Sequence, residues 1–541
     1  MLGMMQGWPL TVDRILDHAA RWHGSTEVVA RSTEGPVVRT SYGEVHRRAK
    51  QVSAALLGMG VRPGDRVATL AWNTHRHLET WYGIMGIGAV CHTLNPRLHP
   101  DQICWIINHA EDRFIFVDAQ FAPMLAERWA NAPSVERLVV LTDAAHRPEG
   151  LPAEVLTYEE LIDGMPLDTP WGGFPEESAC GLCYTSGTTG DPKGVLYSHR
   201  SNFLHTLAGL QKDLLGLSGA DVILPGAPLY HANAWGIAFA APAVGAKLVM
   251  PGARLDGPSM YELLESERVT VACGVPTIWQ GVLQHMAETG GRFSTLKRVL
   301  TGGSAFPEGL MQALWRHGVT VTQIWGMTET SPIGTAGEPQ AAEAALPYEA
   351  QMPTRLKQGH AQLLCDIRIV DDQGRDLPHD GQAFGRLLCK GPIVSSGYFK
   401  GSGQAAFGED GWFDTGDVAT IDPNGYMQIT DRAKDVIKSG GEWISSVEIE
   451  NIAMSHPKAA LAAVIGVPHP RWDERPLLLV KLKEGEAATC EEFFACLEGR
   501  IAKWWTPDEV LFVDDIPLGA TGKIDKKVIR AAYAGYRLPT A

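Results

Sequence analysis

Tyr184-Thr-Ser-Gly-Thr-Thr-Gly-Asp-Pro-Lys-Gly194 places five hydroxyl side chains, three glycines and one lysine within eleven residues, a mixture that no packed core requires. Glycines let the backbone come close to a ligand and turn its N–H groups toward one point. The hydroxyls of Thr185, Ser186, Thr188 and Thr189 and the ammonium of Lys193 add donors suited to phosphate oxygens, with Gly187 and Gly190 between them. The stretch is not the common P-loop. Lys193 is followed by Gly194 rather than Ser or Thr, and Pro192 blocks a helix at the usual place. It reads as a phosphate loop of another kind.

Upstream of the loop, Cys180 and Cys183 form a C-x-x-C with no second pair at zinc spacing, inside an apolar run that favours core packing. Nine scattered cysteines suit a reducing compartment. The first residues, Met1 to Pro9, lack the basic start and apolar core of a secretory leader, so a cytoplasmic location is expected. The apolar region Trp235–Met250 is interrupted by Gly236, Pro242, Gly245 and Lys247 and is too short to span a bilayer. A formal charge of −15 argues against nucleic acid and anionic membranes as partners, so a polyanionic substrate needs a local basic pocket.

Short β-rich runs recur on both sides of the loop: Arg66–Trp72, Phe114–Asp118, Leu138–Asp143, Val222–Pro225, Lys247–Pro251, Val269–Val275 and Arg298–Thr301. Many are apolar on both faces, as buried parallel strands are, and helical patterns such as Pro258–Glu267 and Pro307–Arg316 intervene. This alternation predicts an α/β architecture with parallel sheets. Past Leu363 the texture changes. Cys365–Val370 and Gly385–Lys390 alternate like antiparallel strands, with turn signals between them. A compact α+β tail follows, with strands Leu461–Val467, Pro476–Leu482 and Glu509–Val513, a helix Glu491–Trp504 and a last helix after Lys523. At 541 residues the chain should divide, and the polar segment Asp431–Asp435 marks the boundary: 1–431, with a β-rich part near 360–430, and 432–541.

Further polar islands follow the loop in order: Pro228-Leu-Tyr-His-Ala-Asn-Ala-Trp235, Thr301-Gly-Gly-Ser-Ala305, Trp325-Gly-Met-Thr-Glu-Thr-Ser-Pro332, Trp412-Phe-Asp-Thr-Gly-Asp417, Asp431-Arg-Ala-Lys-Asp-Val-Ile-Lys-Ser-Gly-Gly-Glu-Trp443 and Pro517-Leu-Gly-Ala-Thr-Gly-Lys523. Together they resemble the adenylate-forming superfamily of acyl-CoA synthetases, peptide-synthetase adenylation domains and firefly-type luciferases, over nearly the whole chain. Within it the chain is similar to medium- and long-chain fatty acyl-CoA ligases and to bacterial ligases of 3-methylmercaptopropionate.

The resemblance implies a large α/β domain with a small β-barrel-like region, then a small mobile α+β domain. It also implies a two-step reaction with ATP, Mg²⁺ and coenzyme A: a carboxylate attacks the α-phosphate, and the CoA thiol then displaces AMP. A small carboxylic acid is the expected partner, and a homodimer the expected assembly. Medium- or long-chain fatty acids are the alternative substrates to 3-methylmercaptopropionate, and an adenylation enzyme loading a separate carrier protein is the alternative transferase.

The family pattern assigns roles that fit the residue types. Carboxylate and ATP are both anionic, so joining them requires cations and donors. Lys523 falls on the catalytic lysine that meets the carboxylate and α-phosphate. Glu329 and Thr185 supply the hard oxygens that Mg²⁺ prefers, and Thr328 faces the α-phosphate. Asp417 and Arg432 match ribose contacts. Gly302, Gly303, Ser304, Ile324, Trp325 and Gly326 match the adenine wall, where Trp325 replaces a common tyrosine and retains a face for stacking. Lys434 falls on the hinge, while Lys438 matches an AMP contact. His231, Trp235, Gly303 and Pro332 match the acyl site; Gly440, Gly441 and Trp443 match the pantetheine tunnel. By composition alone Trp235 and Trp325 fit core packing equally well. His231 needs no general-base role, because a carboxylate is already ionised near neutral pH.

Overall fold

A computed structural model describes residues 1, 3–185, 191–401, 403–440, 442–519 and 523–541, without the side chains of residues 232, 233, 442 and 443. Among the described residues the strands form four sheets. One has seven strands, with Phe114–Val117 and Arg66–Leu70 at its centre and Ala179–Thr185 followed by Lys193–Ser198 at one edge. All its neighbours are parallel except that last pair. Phe114–Val117 is apolar at every position and buried on both faces, as an interior parallel strand must be.

The second sheet has nine strands, and its parallel middle contains Thr320–Gly326, Arg298–Gly302, Val271–Cys273, Val222–Pro225, Lys247–Met250 and Glu27–Arg31. A single apolar cluster joins the two sheets through the helices between them, with Trp81 stacked on Phe239 at 4.7 Å. Helix ends follow local chemistry. Ser41 caps Tyr42–Gly58 and Asp256 caps Gly257–Ser266, each accepting an N–H of the first turn. The expected α/β alternation is thus present, with most boundaries within two residues of the sequence reading.

The β-rich region is a four-stranded antiparallel sheet in chain order, Asp366–Val370, Phe384–Lys390, Phe413–Ile421 and Met427–Arg432. The tail builds a five-stranded sheet around the long hairpin Ala459–His469 and Asp473–Leu482, with Glu509–Phe512 parallel to the latter. One expectation fails here. The helix expected over Glu491–Trp504 spans only Cys490–Leu497, because Glu498 leaves helical geometry and Gly499 takes a left-handed φ of 72°.

Candidate active site

A single cleft lies at the carboxyl ends of strands from both large sheets, where open parallel sheets place their ligand sites. Thr185 ends one strand, Gly302 and Gly326 end two others, and Tyr230 and His231 follow Val222–Pro225. Backbone crowding fixes this rim. A Cβ on Gly326 would sit 1.8 Å from the Pro332 carbonyl oxygen, and one on Gly302 would sit 2.8 Å from that of Ile324.

The four-stranded sheet closes one wall. Its register sets Asp417 directly opposite Arg432, and Arg432 Nε meets Asp417 Oδ1 at 3.0 Å. Trp325 Nε1–H donates to the other carboxylate oxygen at 2.8 Å. Asp417 is therefore held on both oxygens, one by a strand neighbour and one by the nine-stranded sheet. Trp325 is buried, with its ring over Gly334, where an added Cβ would come within 2.6 Å. The indole thus packs as core and also fixes the orientation of Asp417.

Glu329 is buried and accepts a 2.7 Å hydrogen bond from the Tyr398 hydroxyl. Burial pushes its carboxyl pKa up, and the Tyr398 bond partly opposes this. The same phenol ring carries the Lys193 ammonium 5.0 Å from its centroid. Thr328, beside Glu329, is fixed through its carbonyl by the Tyr197 hydroxyl at 2.7 Å. Tyr398 thereby links the lysine of the phosphate loop to the buried carboxylate, a role that the sequence reading missed.

Lys523 enters from the tail. Leu518 and Ile524 form a bridge, and Gly519 N–H donates to the Lys523 carbonyl at 2.7 Å, so the lysine rides on a tight hairpin. Its Cε lies 3.4 Å from the position of a Cβ on Gly303, an ordinary van der Waals contact, and the φ of 85° there is one that favours glycine. Burial lowers the Lys523 pKa to about 8, reinforced by Arg432 and opposed by Asp417. His231 is lowered to about 4, by burial first and by the Lys523 charge second, and is neutral at pH 7.

Ala234, Trp235 and Gly236 take positive φ values of 50°, 57° and 77°. Left-handed geometry costs an L-residue roughly 1–2 kcal/mol. Gly236 packs on the His205 ring, which a Cβ would meet at 2.9 Å. His205 Nε2 in turn accepts the Ile333 N–H at 3.0 Å, just past Pro332. The strained turn thus presents Trp235 to the cleft while anchoring it to the Pro332 loop.

The structure brings Thr185, Lys193, His231, Trp235, Gly302, Gly303, Ser304, Ile324, Trp325, Gly326, Thr328, Glu329, Pro332, Asp417, Arg432, Lys434 and Lys523 to this one cleft. It does not bring Lys438 or Gly440 there. Both are exposed on the tail sheet, Lys438 on the strand Ile437–Ser439 and Gly440 bound through its N–H to the Trp472 carbonyl at 2.8 Å. Ser186, Gly187, Thr188, Thr189, Gly190, Gly441 and the Trp443 side chain lie outside the described residues.

The whole-chain pattern matches known proteins. Residues 16–399 match the model of the AMP-binding enzyme family, and residues 448–523 match the AMP-binding enzyme C-terminal domain. The chain belongs to the AMP-binding enzyme family. It is 49% identical over 538 residues to a 3-methylmercaptopropionyl-CoA ligase of Ruegeria lacuscaerulensis, covering 98% of this chain and 99% of the relative. It is 45% identical over 537 residues to a medium-chain-fatty-acid–CoA ligase of Ectopseudomonas oleovorans, covering 98% of each. The fold is shared with an anthranilate CoA ligase solved in complex with anthranoyl-AMP, at a TM-score of 0.86 and 24% identity over 97% of this chain and 98% of that one.

Proposed function

We propose that this chain is an AMP-forming acid–thiol ligase that activates a short- to medium-chain carboxylic acid as its acyl-AMP and transfers the acyl group to coenzyme A. 3-Methylmercaptopropionate is the favoured acid. The observation that carries the reading is the meeting of Lys523 with Gly303, His231 and the Asp417–Arg432 pair in one cleft. The likeness to a ligase of the thioether acid, slightly greater than to a medium-chain ligase, favours the substrate.

In the first half-reaction a carboxylate oxygen of the acid forms a bond to the α-phosphorus, and the bond to pyrophosphate breaks. Two anions must approach, and Lys523 is the cation poised for them. Its pKa of about 8 keeps it mostly protonated near neutrality, in a site where burial strengthens its field. His231, neutral, offers a hydrogen bond without competing charge. Asp417 and Arg432 orient the ribose, Thr328 faces the α-phosphate, and Lys193 with the hydroxyls of its loop covers the leaving pyrophosphate.

Glu329 and the Thr185 hydroxyl are hard oxygen donors on the same cleft, which suits Mg²⁺ brought in with ATP and bound largely through phosphates. When bound, the ion neutralises phosphate charge. In the second half-reaction the thiol sulfur bonds to the acyl carbon, AMP leaves, and the thiol proton passes to solvent.

We divide the chain at Asp431 into 1–431 and 432–541, with Lys434 as hinge. Rotation there would withdraw Lys523 and bring in the tail face that carries Lys438 and Gly440, with Gly441 and Trp443 next in sequence, for AMP and pantetheine. The family likeness also suggests a cytoplasmic homodimer. Among the described residues no helix is long and apolar enough to cross a membrane. The test is AMP release with ATP and CoA across a panel of acids. The reading expects 3-methylmercaptopropionate and acids of similar length to be used best; exclusive use of long-chain acids would overturn the substrate assignment.

A further inference from the structure

On the border of the same cleft, where the last strand of the four-stranded sheet meets the tail, lies a buried ionic cluster that the chemistry above does not use. Asp431 is 1% exposed, Ser446 is fully buried, and Glu450 and Lys526 are each 9% exposed. Ser446 donates to Asp431 Oδ2 twice, through its backbone N–H at 2.7 Å and its hydroxyl at 2.6 Å. Lys526 Nζ–H donates to the Ser446 hydroxyl oxygen at 2.5 Å and pairs with Glu450 Oε1 at 2.9 Å. Ser446 opens the helix Ser446–Met454, so the Asp431 carboxylate also sits at a helix N-terminus, where negative charge is favoured.

Chain order gives these bonds different meanings. Asp431 lies in the last strand of the four-stranded sheet, upstream of Lys434. Ser446, Glu450 and Lys526 all lie downstream. The Glu450–Lys526 pair therefore travels with the tail, whereas the Asp431–Ser446 bonds cross the hinge. A second crossing runs alongside, from the Ser445 hydroxyl to the Thr430 carbonyl. Lys526 begins the final helix three residues after Lys523, so whatever fixes Lys526 also fixes the hairpin that delivers Lys523.

We propose that Asp431 is a positioning residue for the first half-reaction: through Ser446 and Lys526 it latches the tail in the orientation that inserts Lys523, and the latch opens for the second. The inference rests on the two-step reading above. Rotation must break both Asp431–Ser446 bonds, yet it leaves Lys526 paired with Glu450 and opens Asp431 to water. Desolvation offsets much of the net stability that such a cluster could add, and the proposed use of this one is to select an arrangement.

The test compares Asp431→Asn and Ser446→Ala with the unaltered protein in two assays. One is acid-dependent ATP–pyrophosphate exchange without CoA; the other is thioester formation from supplied acyl-AMP and CoA. Loss of hydrogen bonds to a charged group should lower exchange roughly ten- to a hundredfold, with thioester formation unchanged or faster. An equal fall in both assays, or unchanged exchange, overturns the latch. If Asp431→Asn fails to fold, as judged by its melting curve, Ser446→Ala decides by the same split. Failure of the unaltered protein to exchange with any acid counts instead against the ligase reading.

Discussion

The wall that carries Asp417 and the hairpin that carries Lys523 reach the same cleft by different means. The wall is set by sheet register: Asp417 sits opposite Arg432 because their strands pair there, and Trp325 fixes the second carboxylate oxygen. The hairpin is set by the orientation of a whole unit, through a few bonds that cross Lys434. On the proposed two-step reaction a nucleotide is held in both half-reactions, whereas the charge on Lys523 would serve the first. Contacts needed throughout would then be built into strands, and the temporary one carried on a part proposed to leave.

Removing the temporary part should have the largest and most selective effect. Lys523→Ala is expected to cut acyl-AMP formation by about 10²–10³-fold, the scale of one lost charge-stabilising donor, while thioester formation from supplied acyl-AMP survives. Equal loss in both half-reactions would merge the two regions into one. On the permanent side, Asp417→Ala strands the Trp325 N–H and leaves Arg432 unpaired. Because Arg432 is partly exposed, the stability cost should be modest, about 1–3 kcal/mol. Weaker ATP binding should appear in both half-reactions as a raised KM for ATP or a raised Kd for AMP.

Acidity gives a third contrast. The proposed adenylation step uses Lys523 as a cation, and its pKa is lowered to about 8. Its kcat/KM should fall as pH rises through that value. A limb that vanishes in Lys523→Ala assigns it to this lysine; a limb that persists assigns it elsewhere. The smallest effect belongs to the Tyr398 link. Tyr398→Phe removes the hydrogen bond to Glu329 but keeps the ring under Lys193, and should weaken Mg²⁺ dependence by roughly tenfold with KM for the acid unchanged.

The sequence was legible where physics is local. Apolar strands such as Phe114–Val117 are readable because both faces are buried. The glycines at 302 and 326 are readable because only glycine tolerates such close backbone approach, and that at 303 because its φ of 85° favours glycine. What was not legible depends on pairing across distance. Tyr398 sits in an unremarkable Ser-Ser-Gly-Tyr run, and only folding brings its hydroxyl to Glu329, sixty-nine residues earlier. Trp325 offered a stacking face to the eye, yet its N–H fixes Asp417, ninety-two residues on. Asp431 read as part of a polar linker until Ser446 and Lys526 enclosed it. The helix expected over Glu491–Trp504 stops at Leu497 because Glu498 leaves helical geometry and Gly499 takes a left-handed φ of 72°.

The most direct test of the central claim is acid-dependent ATP–pyrophosphate exchange in the absence of CoA, with 3-methylmercaptopropionate as the acid. Exchange should require both acid and Mg²⁺ and be accompanied by an acyl-AMP detectable by mass. Pyrophosphate release that ignores the acid, or ATP binding with no exchange for any acid, would contradict that claim.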